Sequence, residues 1–120
     1  MPFTKLLMQL VSSVEGATGA LVVEADGEAV QWYSPASAER LRLRCAYLVN
    51  VLQLCRVASA RLNLGKAGHL AIAYDGACFV VEEVSEGYYL LIEMNPHANV
   101  ALAAHRLKQA LPQARALFGE

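Results

Sequence analysis

Apolar residues recur along this chain with two different periods. Phe3, Leu6, Leu7, Leu10, Val11 and Val14 keep helical spacing, so residues 3–15 read as an amphipathic helix. Gly16 can take the left-handed conformation that ends it. The next stretch, "GALVVEADGEAVQWYS" at 19–34, sets an Asp26-Gly27 pair between two hydrophobic runs. A two-residue turn there predicts a hairpin with Leu21 opposite Trp32 and Val23 opposite Val30 on one face, and Glu24 opposite Ala29 on the other. Pro35 closes the second strand. Residues 36–64 hold no Gly or Pro and are rich in Ala, Leu and Arg, which predicts a single helix over about 37–63, ~40 Å long.

That helix carries two apolar stripes. Leu41, Cys45, Leu48, Leu52, Cys55 and Leu62 form one; Leu43, Tyr47, Leu54, Val57 and Ala58 form a second on roughly the opposite side. A surface helix needs one stripe to cover its own core, so the second is read as a partner surface in preference to a stripe screened by arginine stems. After Gly65 come "HLAIAY", "CFVVEEV" and "YYLLIEM", separated by Asp75-Gly76 and Glu86-Gly87. The first alternates Leu70, Ile72 and Tyr74 with His69, Ala71 and Ala73. The other two are nearly continuous in apolar residues, as central strands covered on both faces are, and their short connections force antiparallel pairing. Asn95-Pro96 reads as a capped helix start. An apolar face then runs from Val100 to Phe118, with Pro112 expected to kink or interrupt the helix. The order α-β-β-α-β-β-β-α gives an α+β fold: one five-stranded antiparallel sheet with helices on both faces.

At 120 residues the chain is read as one domain spanning 1–120. Hydrophobic residues make up 56% and charged residues 18%, against roughly half and a quarter in ordinary globular domains. This surplus strengthens the case for a face covered by a second molecule. Net charge is −1 with no Lys/Arg run, so neither nucleic acid nor anionic lipid is advertised as a partner. "LLMQLV" after Lys5 is too short for a signal core or a membrane span. Three cysteines without Cys-x-x-Cys spacing fit a reducing cytoplasm better than a disulfide framework or a zinc site.

Catalytic chemistry is hard to place. His97 and His105 are eight residues apart, about 80° round one helix, and His69 lies on a distant strand, so no metal pair is spaced for binding. Adjacent Glu82 and Glu83 point to opposite faces of their strand and make poor partners for general acid–base work. No nucleophile elbow and no phosphate-binding loop ending in Lys-Ser or Lys-Thr occurs. Cys45 and Cys55 are about 15 Å apart along their helix and cannot bridge within one chain. Two helices crossing antiparallel near Asn50 would bring Cys45 of one copy towards Cys55 of the other.

The short first helix, "GALVVEADGEAV", the long unbroken helix before the Gly65 strand, and "YYLLIEMNPHANVALAAHRL" together resemble the Roadblock / dynein-light-chain family, which includes bacterial partners of Ras-like GTPases. The resemblance covers nearly the whole chain, and Pro112 departs from it. It implies a profilin-like α/β/α sandwich and a homodimer built on the long helix and the strand after it, with two sheets joined edge to edge. The implied dimer residues are Leu43, Tyr47, Asn50, Leu54, Val57 and Ala58 on the helix, with His69, Ala71 and Ala73 on the strand. It also implies a non-catalytic regulator or scaffold for a small GTPase in polarity, motility or transport, with no cofactor and no metal. Arg42, Gln53 and Arg56 are the polar contacts expected towards that partner. A PAS-like sensory module, with several short helical pieces around a ligand pocket, is the alternative; the unbroken 36–64 segment disfavours it.

Overall fold

The protein is described by a computed structural model covering residues 2–119. Its elements are α1 (Thr4–Ser13), β1 (Ala17–Glu24), β2 (Ala29–Tyr33), α2 (Ala38–Arg61), β3 (His69–Ala73), β4 (Cys78–Ser85), β5 (Tyr88–Met94) and α3 (Val100–Leu117), in the expected order. All five strands join one sheet in the order β2-β1-β5-β4-β3, every pairing antiparallel. The continuous apolar run of β5 belongs at the centre. Tyr89, Leu90, Leu91, Ile92 and Met94 are wholly buried, alternating between two cores.

One core lies under α1 and α3, where Leu6, Leu7, Leu10, Leu107 and Ala114 meet Ala20, Val22, Val80, Leu90 and Ile92. The other lies under α2, where Leu41, Cys45, Leu48, Val49 and Leu52 meet Leu21, Val23, Phe79, Val81, Tyr89 and Leu91. Each large aliphatic side chain so buried contributes about 1.5–3 kcal/mol relative to leaving it in water. Ser37 caps α2 by accepting a hydrogen bond from the Arg40 amide at 3.1 Å, and Glu39 in the first turn suits the positive end of the helix dipole.

The hairpin differs from the expected one. Leu21 does pair with Trp32, but Val23 pairs with Ala29, because the register shifts between Val22 and Val23. The turn is one residue longer than two. The Gly27 amide donates to Glu24 O, the Glu24 amide donates to Glu28 O, and Gly27 has φ +92°, the arrangement of a three-residue loop with a left-handed glycine. Val30 is the compensating extra residue on β2, a bulge. It packs with the α1/α3 core, not beside Val23 on the α2 side.

The last helix also departs from expectation at its start. It starts at Val100, and Asn99, not Asn95, caps it by accepting from the Leu102 amide at 3.0 Å. Asn95 instead organises a separate turn, receiving the His97 amide on its side chain and the Ala98 amide on its carbonyl. His97 is therefore outside the helix. Downstream, α3 continues through Pro112 to Leu117. Pro112 is exposed between buried Leu111 and Ala114. Those anchors hold the turn against the sheet, and the carbonyl left without a donor belongs to Lys108, itself on the solvent side.

Candidate functional site

The two stripes of α2 separate cleanly in the fold. Leu41, Cys45, Leu48, Val49 and Leu52 are buried against the sheet. On the far side Leu43, Tyr47, Leu54 and Val57 are 61%, 68%, 70% and 52% exposed, and Asn50 and Ala58 are exposed among them. No other part of the described surface gathers so many large apolar side chains on one element. Two residues assigned to the buried stripe leave it: Cys55 is half-buried and Leu62 is 67% exposed. Leu62 follows the last helical residue, where the chain turns away through left-handed Asn63.

β3 is a free edge of the sheet. Its pairing with β4 runs from His69–Glu82 to Ala73–Cys78 without a shift. Leu70 and Ile72 pack towards α2, while His69, Ala71 and Ala73 are exposed. Because Ala71 and Ala73 sit opposite Val80 and Cys78 of the α1/α3 core, these side chains emerge on the sheet face away from α2. The strand's edge thus lies beside the α2 stripe, but its exposed side chains do not merge with it.

Charged residues around α2 are mostly committed to the protein's own fold. The Arg56 guanidinium pairs with Glu83, donates from Nε to Ala67 O at 3.0 Å, and lies 5.1 Å from the Tyr89 ring centre. Gln53 Nε2 donates to the Tyr89 hydroxyl at 3.3 Å. Arg44 holds buried Glu93 at 3.1 Å, and the other Glu93 oxygen receives Thr18 Oγ1 at 2.6 Å. Burial works against the Glu83 carboxylate, but hydrogen bonds and charge from Lys66 and Arg56 outweigh it, holding its pKa below the usual carboxylate value. Of the three residues expected to meet a partner, Gln53 and Arg56 are hydrogen-bonded within the chain, and Arg42 pairs with no carboxylate among the described residues. Its guanidinium lies 4.2 Å over the Trp32 ring.

Glu82 and Glu83 do face opposite ways: Glu82 is hydrogen-bonded to His69 Nδ1 at 2.8 Å, on the side away from α2. Cys45 is fully buried between α2 and the sheet, and desolvation, reinforced by nearby Glu93, pushes its thiol pKa far up. It faces inward, so it cannot approach a Cys55 of a second copy. Among the described residues, the one convergence of three carboxylates is Glu24, Asp26 and Glu28 at the hairpin tip, with oxygens within 4.8 Å of one another. No helix among the described residues is long and apolar enough to cross a membrane.

This architecture has solved counterparts. A Roadblock/LC7 domain from Streptomyces avermitilis superposes with a TM-score of 0.85 at 18% identity, over 97% of this chain and 97% of that one. The chain has the Roadblock/LC7 fold. MglC from Myxococcus xanthus matches at 26% identity and a TM-score of 0.70, over 97% of this chain and 98% of its own. The gliding protein MglB from Thermus thermophilus matches at 13% identity and 0.84, over 97% of this chain and 87% of its own. No protein-family model and no curated protein matches the sequence. The Roadblock/LC7 frame puts one residue beside the α2 face that alternation alone assigned to sheet pairing. Trp32 lies on edge strand β2, is 40% exposed, and has the Arg42 guanidinium over its ring. Its neighbourhood with Arg42 and Leu43 could have been suspected only by placing the start of α2 over β2.

Proposed function

We propose that this Roadblock/LC7 protein is a non-catalytic regulator or scaffold that forms a homodimer in the cytoplasm and presents the paired α2 helices to a Ras-like small GTPase. The observation that carries the reading is the exposed stripe Leu43, Tyr47, Leu54 and Val57, on the far side of α2 from a stripe that already covers the sheet. A monomer gains nothing from that second stripe.

The two sheet edges support the same choice. β2 is bulged at Val30 and followed by Pro35, features that blunt an edge. β3 has neither, and its exposed Ala71 and Ala73 allow close approach of a second strand. Joining two copies at β3 sets both α2 helices side by side on one face of the joined sheet. The flank of α2 nearer β3 carries Tyr47, Leu54 and Ala58, with Tyr47 and Val51 sharing a groove with Tyr74 and Gly76 at the β3–β4 turn. That flank meets the second copy. Leu43, Asn50 and Val57 are covered with it, and Arg42 lies at the margin of the paired helices, within reach of a third protein. Crossing near Asn50 also sets Glu39 of one copy near Arg61 of the other, a favourable pairing.

MglB in a tetrameric arrangement, a match at 13% identity and a TM-score of 0.84, is a relative by fold that self-associates, in line with this reading. The PAS-like alternative loses its main feature, since one 24-residue helix fills the connection where several short pieces were required. The experiment has two arms. Sedimentation of the purified protein over a concentration series should give a reversible dimer. Immobilised protein should retain a GTPase from the source cell's lysate in one nucleotide state, GTP or GDP, more than in the other. A chain that stays monomeric at high concentration, or that retains no GTPase in either state, overturns the corresponding half.

A further inference from the structure

The opposite face of the molecule has a different chemistry. Four of the chain's ten lysines and arginines, Lys5, Arg106, Lys108 and Arg115, lie on α1 and α3, and none of its eleven acidic residues does. His105 adds a fifth basic group. α2 is cationic too, with five arginines against Glu39, but α1 and α3 carry no acidic residue at all, so their layer is positive in a protein of net charge −1. Between the two helices runs a groove lined by Gln9, Ser13, Arg106, Gln109 and Gln113 over a floor of leucine and alanine. Its polar rim offers amides and a hydroxyl and no carboxylate.

Arg106 is the unusual member. Its Nη1 donates to Gln109 Oε1 at 3.0 Å, but its Nε is buried and has no acceptor among the described residues. A buried N–H of a cation left without an acceptor is rare in native proteins and calls for a physical reason. The other buried or half-buried arginine heads here, Arg44 and Arg56, each have a carboxylate.

We propose that the groove between α1 and α3 binds an acidic segment of a partner protein, one of whose carboxylates takes Arg106 side-on through Nε and the second amino group. The long side chains of Gln9 and Gln113 can turn aside to admit it and then bond to its backbone, while Gln109 stays on Nη1. A planar guanidinium with one edge already fixed by Gln109 is preorganised for a two-point carboxylate contact. Four cations spread along two helices are too few and too dispersed to hold a phosphodiester backbone, and the groove is a slot, not an apolar face that could enter a bilayer. The site is on the other side of the sheet from α2, so it stands or falls apart from the dimer and the GTPase.

The test uses full-length 15N-labelled protein at low ionic strength, titrated with a hexaglutamate peptide, its hexaglutamine counterpart, and vesicles of phosphatidylcholine containing phosphatidylserine. Hexaglutamate should shift the Arg106 Nε–H resonance and the amides of Gln9, Ser13, Gln109 and Gln113, and hexaglutamine should not. Arg106→Gln should weaken binding by roughly tenfold or more, as loss of a charge-assisted hydrogen bond does, and Arg106→Lys should not restore it fully. Gln109→Glu supplies a carboxylate from within the chain, so it should abolish peptide binding while raising the melting temperature. Shifts confined to other surfaces, binding indifferent to Arg106→Gln and Gln109→Glu, or attachment to the anionic vesicles without any response to hexaglutamate would each overturn the proposal.

Discussion

Replacing Leu54 by Glu is the sharpest probe of the α2 stripe. The side chain is 70% exposed in a single copy, so the fold of one chain owes it little. Leu and Glu have nearly equal helix propensity, so α2 itself should be undisturbed. If a second copy covers the stripe, the exposed seven-tenths of Leu54 becomes buried. Full burial of a leucine stabilises by about 1.5–3 kcal/mol, so this fraction is worth about 1–2 kcal/mol. Two-fold symmetry counts the residue twice, giving about 2–4 kcal/mol, or a dimer dissociation constant raised roughly 30- to 700-fold. The introduced carboxylate can only add to that figure. Sedimentation equilibrium on wild type and variant reads the shift, and thermal melts at a concentration where both are monomeric should coincide. A variant that dimerises like wild type with an unchanged melt would refute the assignment of this flank. A variant whose monomer is itself destabilised would refute the statement that Leu54 has no role within one chain.

Gly19→Ala should destabilise by about 1–3 kcal/mol, measured by urea unfolding, because a Cβ there would come within 2.8 Å of Leu41 Cδ2 and 3.1 Å of Ser34 Cβ, inside the joint between β1 and the start of α2. Glu83→Gln should flatten the acid limb of the stability curve. The folded pKa of Glu83 is lowered by Lys66 and Arg56 against the opposing effect of its burial. The stabilisation is therefore fully present above the unfolded carboxylate pKa of about 4.3 and lost as pH falls through the folded value; an unchanged acid limb in the variant would contradict this. Alkylation followed by mass spectrometry should modify half-buried Cys55 before Cys45 and Cys78, both buried, and Cys45 should stay protected until unfolding because its thiolate is strongly disfavoured. Early labelling of Cys45 would show that α2 lifts from the sheet.

The element order, the antiparallel sheet and the two-sided character of α2 were legible because each rests on a repeating pattern: 3.6 for Leu41 to Leu52, 2.0 for Leu70 and Ile72, unbroken apolarity for β5. What failed were signals that two local structures share. Asp26-Gly27 suits a two-residue turn and a three-residue one equally, and only the packing of Val30 into the α1/α3 core selects the longer turn with its bulge. Asn95 and Asn99 both resemble helix caps; the pairing of Asn95 N with Gly16 O keeps the first in the sheet and leaves the second to start α3. Arg56 looked available because its carboxylate, Glu83, is 27 residues away. Arg106 gave no sequence signal, since an unmatched Nε is visible only when its surroundings are closed.

The bulge at Val30 reaches beyond the hairpin. It coils the outermost strand, and Gly27 at the tip comes against Ala46 with room for no more than a methyl group, about 3.5 Å from a built Cβ. The two borders of the sheet therefore differ: the β2 pairing carries a register shift and the β3 pairing does not. If copies join at β3 as proposed, the bulged β2 edge is a poor template for a further strand, so the residue that spoils the simple hairpin also works against ribbon growth of the kind that leads to fibres.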